Sequence, residues 1–328
     1  LILIAWLGSQ IPGMQYFFGV AVPYLAVMVF IGGFVYKVAQ WAKIPVPFSI
    51  QTTCGRGKSL DFIKRNKLEA PHTNSEVIAR MALEILTFRS LFRNTKAEIH
   101  DGPKVTYESD KWLWLFALIF HYSFLIIVIR HMRLFLNPVP EVIVWLDWAD
   151  SMFEIGTPAL YLTDAGLLIG VLFLFSRRLT NRKVRYMSLA NDFFPLVLIF
   201  AIGATGVLMR MFLRDGIDIA AIKQLGVGLV TFSPVISTDL GAIFYVHLFL
   251  VCVLLVYFPF SKLMHLGGVF MSPTRNTKNN TREVRHVNPW NPDIKVHAYA
   301  DYEDEFREFM VDANIPVEKE LDPKPDAA

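Results

Sequence analysis

Five long apolar segments constrain this chain more than any other feature of its sequence. A membrane-spanning helix needs about 20 mostly apolar residues. The segments that approach or exceed this length are 15–38, 112–136, 157–175, 193–213 and 240–264. The chain is also 54% hydrophobic and only 19% charged, whereas soluble domains carry about 25% charged residues. We therefore expect an all-α membrane protein, a bundle of five transmembrane helices with a long cytoplasmic loop and a cytoplasmic C-terminal tail.

The distribution of basic residues predicts how these spans are oriented. Loop 39–111 contains twelve Lys and Arg residues, and the short connection 176–187 contains five. The connection 137–156 contains none and carries four acidic residues instead. Because basic loops stay in the cytoplasm, we expect a multi-pass protein of the cytoplasmic membrane with its N-terminus outside. The N-terminal LILIAWLGSQIPG lacks the basic region of a signal peptide, so we interpret it as an outer lead-in to the first span.

These spans and loops predict four regions along the chain. Residues 1–38 form the outside N-terminus and the first span, and residues 39–111 form a cytoplasmic loop whose helices dock a partner. Residues 112–264 form spans two to five. Residues 265–328 form the cytoplasmic tail, for which a partner-binding arm and a disordered segment both remain open.

Charge and cysteine content exclude several classes of function. A net charge of +3 is too small to indicate nucleic-acid binding, and no basic repeat alternates with aromatic residues. The two cysteines, Cys54 and Cys252, cannot supply a four-cysteine zinc or iron–sulfur site. A metal centre in this chain therefore has to come from other side chains.

Four of the eight histidines lie in predicted spans. His121 and His131 belong to the second span, and His247 and His265 belong to the fifth. Ionisable side chains inside hydrocarbon are costly and usually functional. Since the two spans run in opposite directions, His121 should face His265 near the cytoplasm, and His131 should face His247 nearer the outside.

Two facing imidazoles, present twice, match the axial ligands of two six-coordinate haem irons. No C-x-x-C-H motif is present, which favours non-covalent haem b. The axial rises differ, about 15 Å for ten residues and about 27 Å for eighteen. A kink near Pro259 is expected to close part of this difference. Two alternatives remain open: a haem-free proton channel or transporter that uses the histidines as a relay, and a membrane anchor whose histidines only pack.

The spacing His-x9-His in the second span and His-x17-His in the fifth resembles the cytochrome b (gamma) subunits of respiratory nitrate reductases. The chain is still more similar to the DsrM family, the cytochrome b subunits of sulfite-reduction-associated DsrMKJOP complexes. That similarity covers the five spans, including HMRLFLNPVP, together with the long first loop and the tail. The resemblance implies a proximal haem held by His121 and His265 and a distal haem held by His131 and His247.

The resemblance also implies partners. These are menaquinol/menaquinone, a cytoplasmic iron–sulfur subunit resembling the heterodisulfide reductase catalytic subunit, a second quinone-interacting membrane subunit, an extracytoplasmic multihaem cytochrome c and an extracytoplasmic ferredoxin-like subunit. The final acceptor is expected to be the trisulfide form of a small sulfur-carrier protein. On this basis we expect the chain to be an electron-transfer subunit of a quinone-linked oxidoreductase complex in dissimilatory sulfur metabolism, passing electrons between menaquinol and the iron–sulfur subunit.

Three charged residues in the predicted spans are candidates for binding or catalysis. Arg130 and Arg210 could bind haem propionates or form buried ion pairs. Asp164 could pair with either arginine, or could accept a proton from quinol. The nitrate reductase family places a quinol site beside the distal haem, so we expect one near His131, Asp164 and Arg210. No lysine of this sequence matches the family's lysine near that site.

Overall fold

The structure is a computed structural model. It describes residues 1–44, 57–58, 60–102, 104–151, 161–213, 217–237, 240–281, 283–284, 287 and 297–320. Cys54, residues 157–160 of the third predicted span, and residues 321–328 of the tail lie outside this described part. The chain forms two compact units, Leu1–His286 and Val287–Ala328. The sequence placed the start of the tail earlier, at residue 265.

Helices dominate the first unit. In chain order they are α1 (Ile2–Ser9), α2 (Met14–Tyr16), α3 (Val22–Ala42), α4 (Asn74–Thr87), α5 (Arg89–Phe92), α6 (Lys111–His131), α7 (Glu141–Ser151), α8 (Leu162–Thr180), α9 (Arg182–Met187), α10 (Ala190–Met211), α11 (Ile219–Val230), α12 (Ala242–Tyr257), α13 (His265–Gly268) and α14 (Pro273–Asn276). One π-helical turn, Phe17–Ala21, connects α2 to α3. The short helices α1, α7 and α11 were not predicted.

Four described helical segments are long and apolar enough to cross a membrane: Met14–Ala42, Lys111–Leu134, Ala190–Met211 and Ala242–Phe260. They correspond to the first, second, fourth and fifth predicted spans, so the protein is a multi-pass membrane protein. The third predicted span corresponds to α8, which carries Asp164 in its first turn and two arginines in its last. Its charged ends make α8 less apolar than the other four.

The membrane helices pack in a defined order. Helix α6 packs on α8, α8 on α10, α10 on α12, and α12 on α3. Gly170 allows the close approach of α8 to α6, since a Cβ there would lie 3.1 Å from the Cα of Phe120. Tyr245, Leu250 and Val171 are almost completely buried in the resulting core. Apolar side chains thus fill the bundle between neighbouring helices.

Helix α12 ends where the sequence indicated a kink. Proline lacks a backbone N–H and its ring clashes with the preceding turn of an α-helix. The chain accordingly forms a 3-10 turn, Phe258–Phe260, around Pro259 and becomes extended at Ser261. The Ser261 hydroxyl then accepts a hydrogen bond from the backbone N–H of Leu263 at 3.2 Å and begins a second 3-10 turn. His265 starts α13 directly after it.

Between the first two spans, the described residues form helices α4 and α5 and a β-hairpin. Helix α4, which the sequence predicted, begins with a capping box in which Thr73 and Glu76 bond each other's backbone N–H. An antiparallel hairpin follows α5, with strands β1 (Thr95–His100) and β2 (Lys104–Ser109). This hairpin was missed, because its alternation is short and it adjoins a membrane helix.

The second unit contains one described helix, α15 (Tyr299–Asp312). Glu303 is buried, and its carboxylate accepts hydrogen bonds from the backbone N–H groups of Glu318 and Lys319, both at 2.8 Å. The bond from Glu318, with those from Lys319 and Arg307, holds the pKa of Glu303 below its usual range despite burial. A disordered tail was one of the two alternatives that the sequence left open. Part of the tail is instead a helix, and hydrogen bonds to Glu303 connect it to the residues that follow.

Candidate functional site

The structure brings the four membrane histidines together in two pairs. We name the pairs inner and outer after the predicted orientation of the spans. In the inner pair, His121 of α6 faces His265 of α13, with ring centres 6.0 Å apart and ring planes at 85°. In the outer pair, His131 at the end of α6 faces His247 of α12, with ring centres 6.4 Å apart and planes at 19°. These are the two pairings that the antiparallel arrangement of the spans predicted.

The interruption of α12 accounts for the alignment of both pairs. On unbroken helices the two histidines of α6 would be about 15 Å apart, and those of the fifth span about 27 Å apart. Between Tyr257 and His265 the chain instead passes through two 3-10 turns and the extended Ser261. This path lets His265 lie opposite His121.

Each of the four rings has its Nδ1 atom occupied. In three of them Nδ1 lies 2.7–2.9 Å from a backbone carbonyl oxygen of the same segment. The pairs are His121 with Ala117, His131 with Ile127, and His265 with Lys262. A carbonyl only accepts hydrogen bonds, so these three rings carry their proton on Nδ1. The Nε2 lone pair is then free to bind a metal, as in histidine ligands generally.

His247 differs from the other three because, beside a backbone hydrogen bond to Ile202, its Nδ1 contacts a side-chain group. That group is the hydroxyl oxygen of Thr205 on α10, at 3.0 Å. Thr205 is buried, and its hydroxyl lies 2.8 Å from the carbonyl oxygen of Ala201. Gly206 is adjacent, and a Cβ there would lie 3.4 Å from Cε1 of His247. The sequence analysis did not single out Thr205.

The geometry of both pairs fits bis-imidazole coordination of a haem iron. A metal–imidazole bond is about 2 Å long and the ring centre lies about 1 Å behind the nitrogen, so two rings on opposite sides of one iron have centres about 6 Å apart. Both observed separations agree with this value. Over the described residues, α6 packs chiefly on α8, and α12 packs on α3 and α10. The two helices that carry the outer pair are therefore not close neighbours, and their rings face each other across a gap.

An aromatic residue from the first loop covers the inner pair. Phe88 connects α4 to α5 and adopts a left-handed conformation, with φ 49° and ψ 46°. Its ring meets His121 edge to face, at 5.0 Å between centres. Two residues of α6 hold the connection in place: Trp114 donates to the carbonyl of Thr87 and Tyr122 to that of Leu86, both at 2.7 Å. Periodicity alone gave no signal for this contact.

Arg130 lies in a buried ion-pair network beside the outer pair. Its Nε donates to Asp147 at 2.9 Å, and its Nη1 pairs with Asp150, whose side chain is 4% exposed. Thr163 at the start of α8 donates to the same Asp150 carboxylate. The buried ion pair, one of the two roles that the sequence left open for Arg130, is therefore present in the structure. From the sequence, Asp147 and Asp150 were used only to predict that their connection lies outside the cytoplasm.

Asp164 pairs with Arg210, one of the two partners that the sequence proposed for it. The ring of Tyr161 lies between two guanidinium groups, 3.9 Å from that of Arg210 and 3.8 Å from that of Arg130. The Nε of Arg210 is buried and makes no hydrogen bond to the described residues.

A cavity of about 330 Å³ opens at the same end of the bundle. Its lining is mostly apolar and includes Leu134, three residues beyond His131. Three charged side chains also line it: Arg133, Asp147 and Lys223. No lysine of the sequence was matched to the one that the family has near its quinol site. In the structure, Lys223 lies at this end of the bundle.

Comparison with known proteins gives consistent results. The model of the nitrate reductase gamma subunit family matches residues 82–285, which is more than half of the chain and includes all four membrane histidines. An "Hdr-like menaquinol oxidoreductase cytochrome b-like subunit" of Archaeoglobus fulgidus is 43% identical over 282 residues, covering 84% of this chain and 83% of the relative. A protein with the same description from Archaeoglobus profundus is 38% identical over 283 residues, with the same coverage. The resemblance that the histidine spacing indicated is confirmed at the level of the family: the chain belongs to the nitrate reductase gamma subunit family.

Proposed function

We propose that this chain is a dihaem cytochrome b that carries electrons between menaquinol and a cytoplasmic iron–sulfur subunit. The main support is the presence of two facing imidazole pairs on oppositely directed segments, each ring with its Nδ1 occupied. The relatives named as subunits of an Hdr-like menaquinol oxidoreductase support the quinone couple and an iron–sulfur partner of the heterodisulfide reductase type.

Within this proposal, His121 and His265 hold a proximal haem b, and His131 and His247 hold a distal one. A bound haem supplies a one-electron redox couple at each position. The chain's own residues fix the ligand nitrogens: the Nδ1 contacts orient the rings, and Phe88 covers the proximal side. Two one-electron sites at different depths suit a two-electron donor such as a quinol.

Quinol is oxidised at the outer end of the bundle in this proposal. Asp164 is the proposed acceptor of a proton from the quinol hydroxyl, and its ion pair with Arg210 holds its side chain in place. The orphan Nε of Arg210 offers a hydrogen bond to the headgroup. The cavity with Lys223 provides apolar walls of a size that accommodates a headgroup. Protons released at this end contribute to the membrane potential if the end faces outwards.

We further propose the finer identity that the sequence resemblance implied. The chain would be a DsrM-type subunit in dissimilatory sulfur metabolism, with five spans, an outside N-terminus and a cytoplasmic C-terminus. Its partners would include a second quinone-interacting membrane subunit, an extracytoplasmic multihaem cytochrome c and an extracytoplasmic ferredoxin-like subunit. Co-purification from native membranes, followed by identification of the associated chains, tests this set.

In this proposal the first loop and the tail each dock the iron–sulfur partner. Residues just after His265 belong to the membrane unit, since Gly267 lies against Phe34 and the Asn279 N–H donates to the Pro71 carbonyl at 2.6 Å. A deletion that tests docking should therefore remove 287–328 rather than 266–328. The truncated chain is expected to keep both haems and lose the partner, and a partner that remains bound would refute the docking role.

The central test is the haem content of the purified chain and its reduction by menaquinol. We expect two haems b per chain and a reduced-minus-oxidised spectrum that develops on addition of the quinol. His121→Ala and His131→Ala should each remove one haem, whereas His100→Ala, on the exposed hairpin, should remove none. A chain without a Soret band would instead support the haem-free channel, transporter or anchor.

A further inference from the structure

The four imidazoles of the site differ in what restrains them. Three contact backbone carbonyls, which any sequence provides at that place in a helix or turn. His247 also interacts with a backbone carbonyl, that of Ile202, but in addition it contacts the side-chain hydroxyl of Thr205, which a single substitution can remove. The distal position therefore has one adjustable contact that the proximal position lacks.

The surroundings of Thr205 determine the direction of this hydrogen bond. Thr205 is only 6% exposed. Its Oγ1 lies 2.8 Å from the carbonyl oxygen of Ala201 and 3.0 Å from that of Ile202. Carbonyls cannot donate, so the hydroxyl proton points to them and a lone pair of Oγ1 is left for His247. The Nδ1–H of His247 is then the donor, and its Nε2 carries no proton.

The backbone of α10 reinforces this arrangement. Gly206 has no side chain, and a Cβ there would lie 3.4 Å from Cε1 and 3.8 Å from Nδ1 of His247. The imidazole therefore lies close to the α10 backbone, with Thr205 fixing its rotation. Contact and space together leave the ring little freedom to turn about its axis.

We propose that Thr205 is a positioning residue that sets the orientation and the donor strength of His247, and through them the midpoint potential of the distal haem alone. This inference rests on the proposed dihaem function. A hydrogen-bond acceptor on Nδ1–H makes an imidazole a stronger electron donor through Nε2. A stronger donor stabilises the oxidised iron and lowers its midpoint potential. A hydroxyl that already donates to carbonyls is also polarised into a better acceptor.

The test compares Thr205→Val with Thr205→Ser in the full-length chain. Valine keeps the branched shape and removes the acceptor, whereas serine keeps the acceptor and removes a methyl group. Both haems are titrated optically against potential in the same sample. The Val variant should shift the distal midpoint potential upwards and leave the proximal one unchanged, and the Ser variant should titrate like the wild type.

The possible outcomes separate this inference from the function on which it rests. A wild-type chain without haem would refute the proposed function itself. Two haems with unchanged potentials in the Val variant, or an equal shift in the Ser variant, would overturn the role of Thr205. Loss of the distal haem alone in the Val variant, with retention in the Ser variant, would support it. Loss of both haems from both variants would indicate a packing role and overturn it.

Discussion

The ring planes of His131 and His247 are inclined by only 19°, so the outer pair is nearly parallel. His121 and His265 differ, since their planes cross at 85°. Because the iron d orbitals that interact with an imidazole are selected by the plane of the ring, parallel rings act on the same orbital. Perpendicular rings act on two orbitals equally and leave them close in energy.

If each pair holds a haem iron, as proposed, this difference predicts two distinct electron paramagnetic resonance signals from the oxidised protein. The distal haem should give a rhombic low-spin signal, and the proximal haem should give a strongly anisotropic one. The signals are assigned with His131→Ala and His121→Ala, each of which should remove one of them. Two signals of the same type would contradict the ring geometry.

Asp164→Asn should slow the reduction of the haems by menaquinol. The amide cannot take the quinol proton, and it leaves the Arg210 guanidinium without its ion-pair partner. Since a positioned base contributes about 10²- to 10⁴-fold to a rate, we expect a loss of at least about tenfold. Stopped-flow absorbance with a soluble menaquinol measures it, with haem content checked in the same sample.

Two further variants show where the quinol acts. Asp101→Asn, in the exposed hairpin turn, is the matched carboxylate control and should reduce at the wild-type rate. Lys223→Ala tests the adjacent cavity. If Asp164→Asn is reduced by menaquinol at the normal rate and Lys223→Ala is reduced slowly, the quinol site lies in the cavity and not beside Asp164.

The features that the sequence predicted are those with local causes. Four apolar runs became helices long enough for a membrane, because length and hydropathy alone determine that property. The pairing of His121 with His265 followed from spacing and antiparallel direction. The height of His265 relative to His121 could not be predicted in the same way, because it depends on the two 3-10 turns and the extended Ser261 that follow α12.

The contacts around the histidines depend on residues distant in sequence, so periodicity could not provide them. The Thr205 hydroxyl reaches His247 across 42 positions, and Asp150 reaches Arg130 across 20. Gly203 and Gly206 lie on either side of Thr205, and small residues of this kind point to close helix packing rather than to a hydrogen bond with His247. The acidic connection 137–156 did contain a usable signal. Its carboxylates are candidate partners for the arginines at the end of the second span, and Asp147 and Asp150 are among them.

Arg130→Gln should destabilise the protein by about 3–5 kcal/mol, because it leaves the buried Asp150 carboxylate without its ion-pair partner. Arg133→Gln is the matched control on the same carboxylate cluster. The Arg133 side chain is 40% exposed and pairs with Asp147 at 2.5 Å, so its loss should cost at most about 1 kcal/mol. Thermal unfolding in detergent measures both, and equal losses would contradict the buried role of Arg130.

Phe88 provides a prediction for the proximal side. Left-handed backbone costs an L-residue about 1–2 kcal/mol, so Phe88→Gly should be more stable than Phe88→Ala by about that amount. Both variants remove the ring that contacts His121, and both should alter the proximal resonance signal while leaving the distal one unchanged. Phe92→Ala is the control, since its ring contacts Trp114, 4.8 Å away between centres, rather than a histidine. It should lower stability without altering either signal, and an unaltered proximal signal in the Phe88 variants would show that this ring does not position His121.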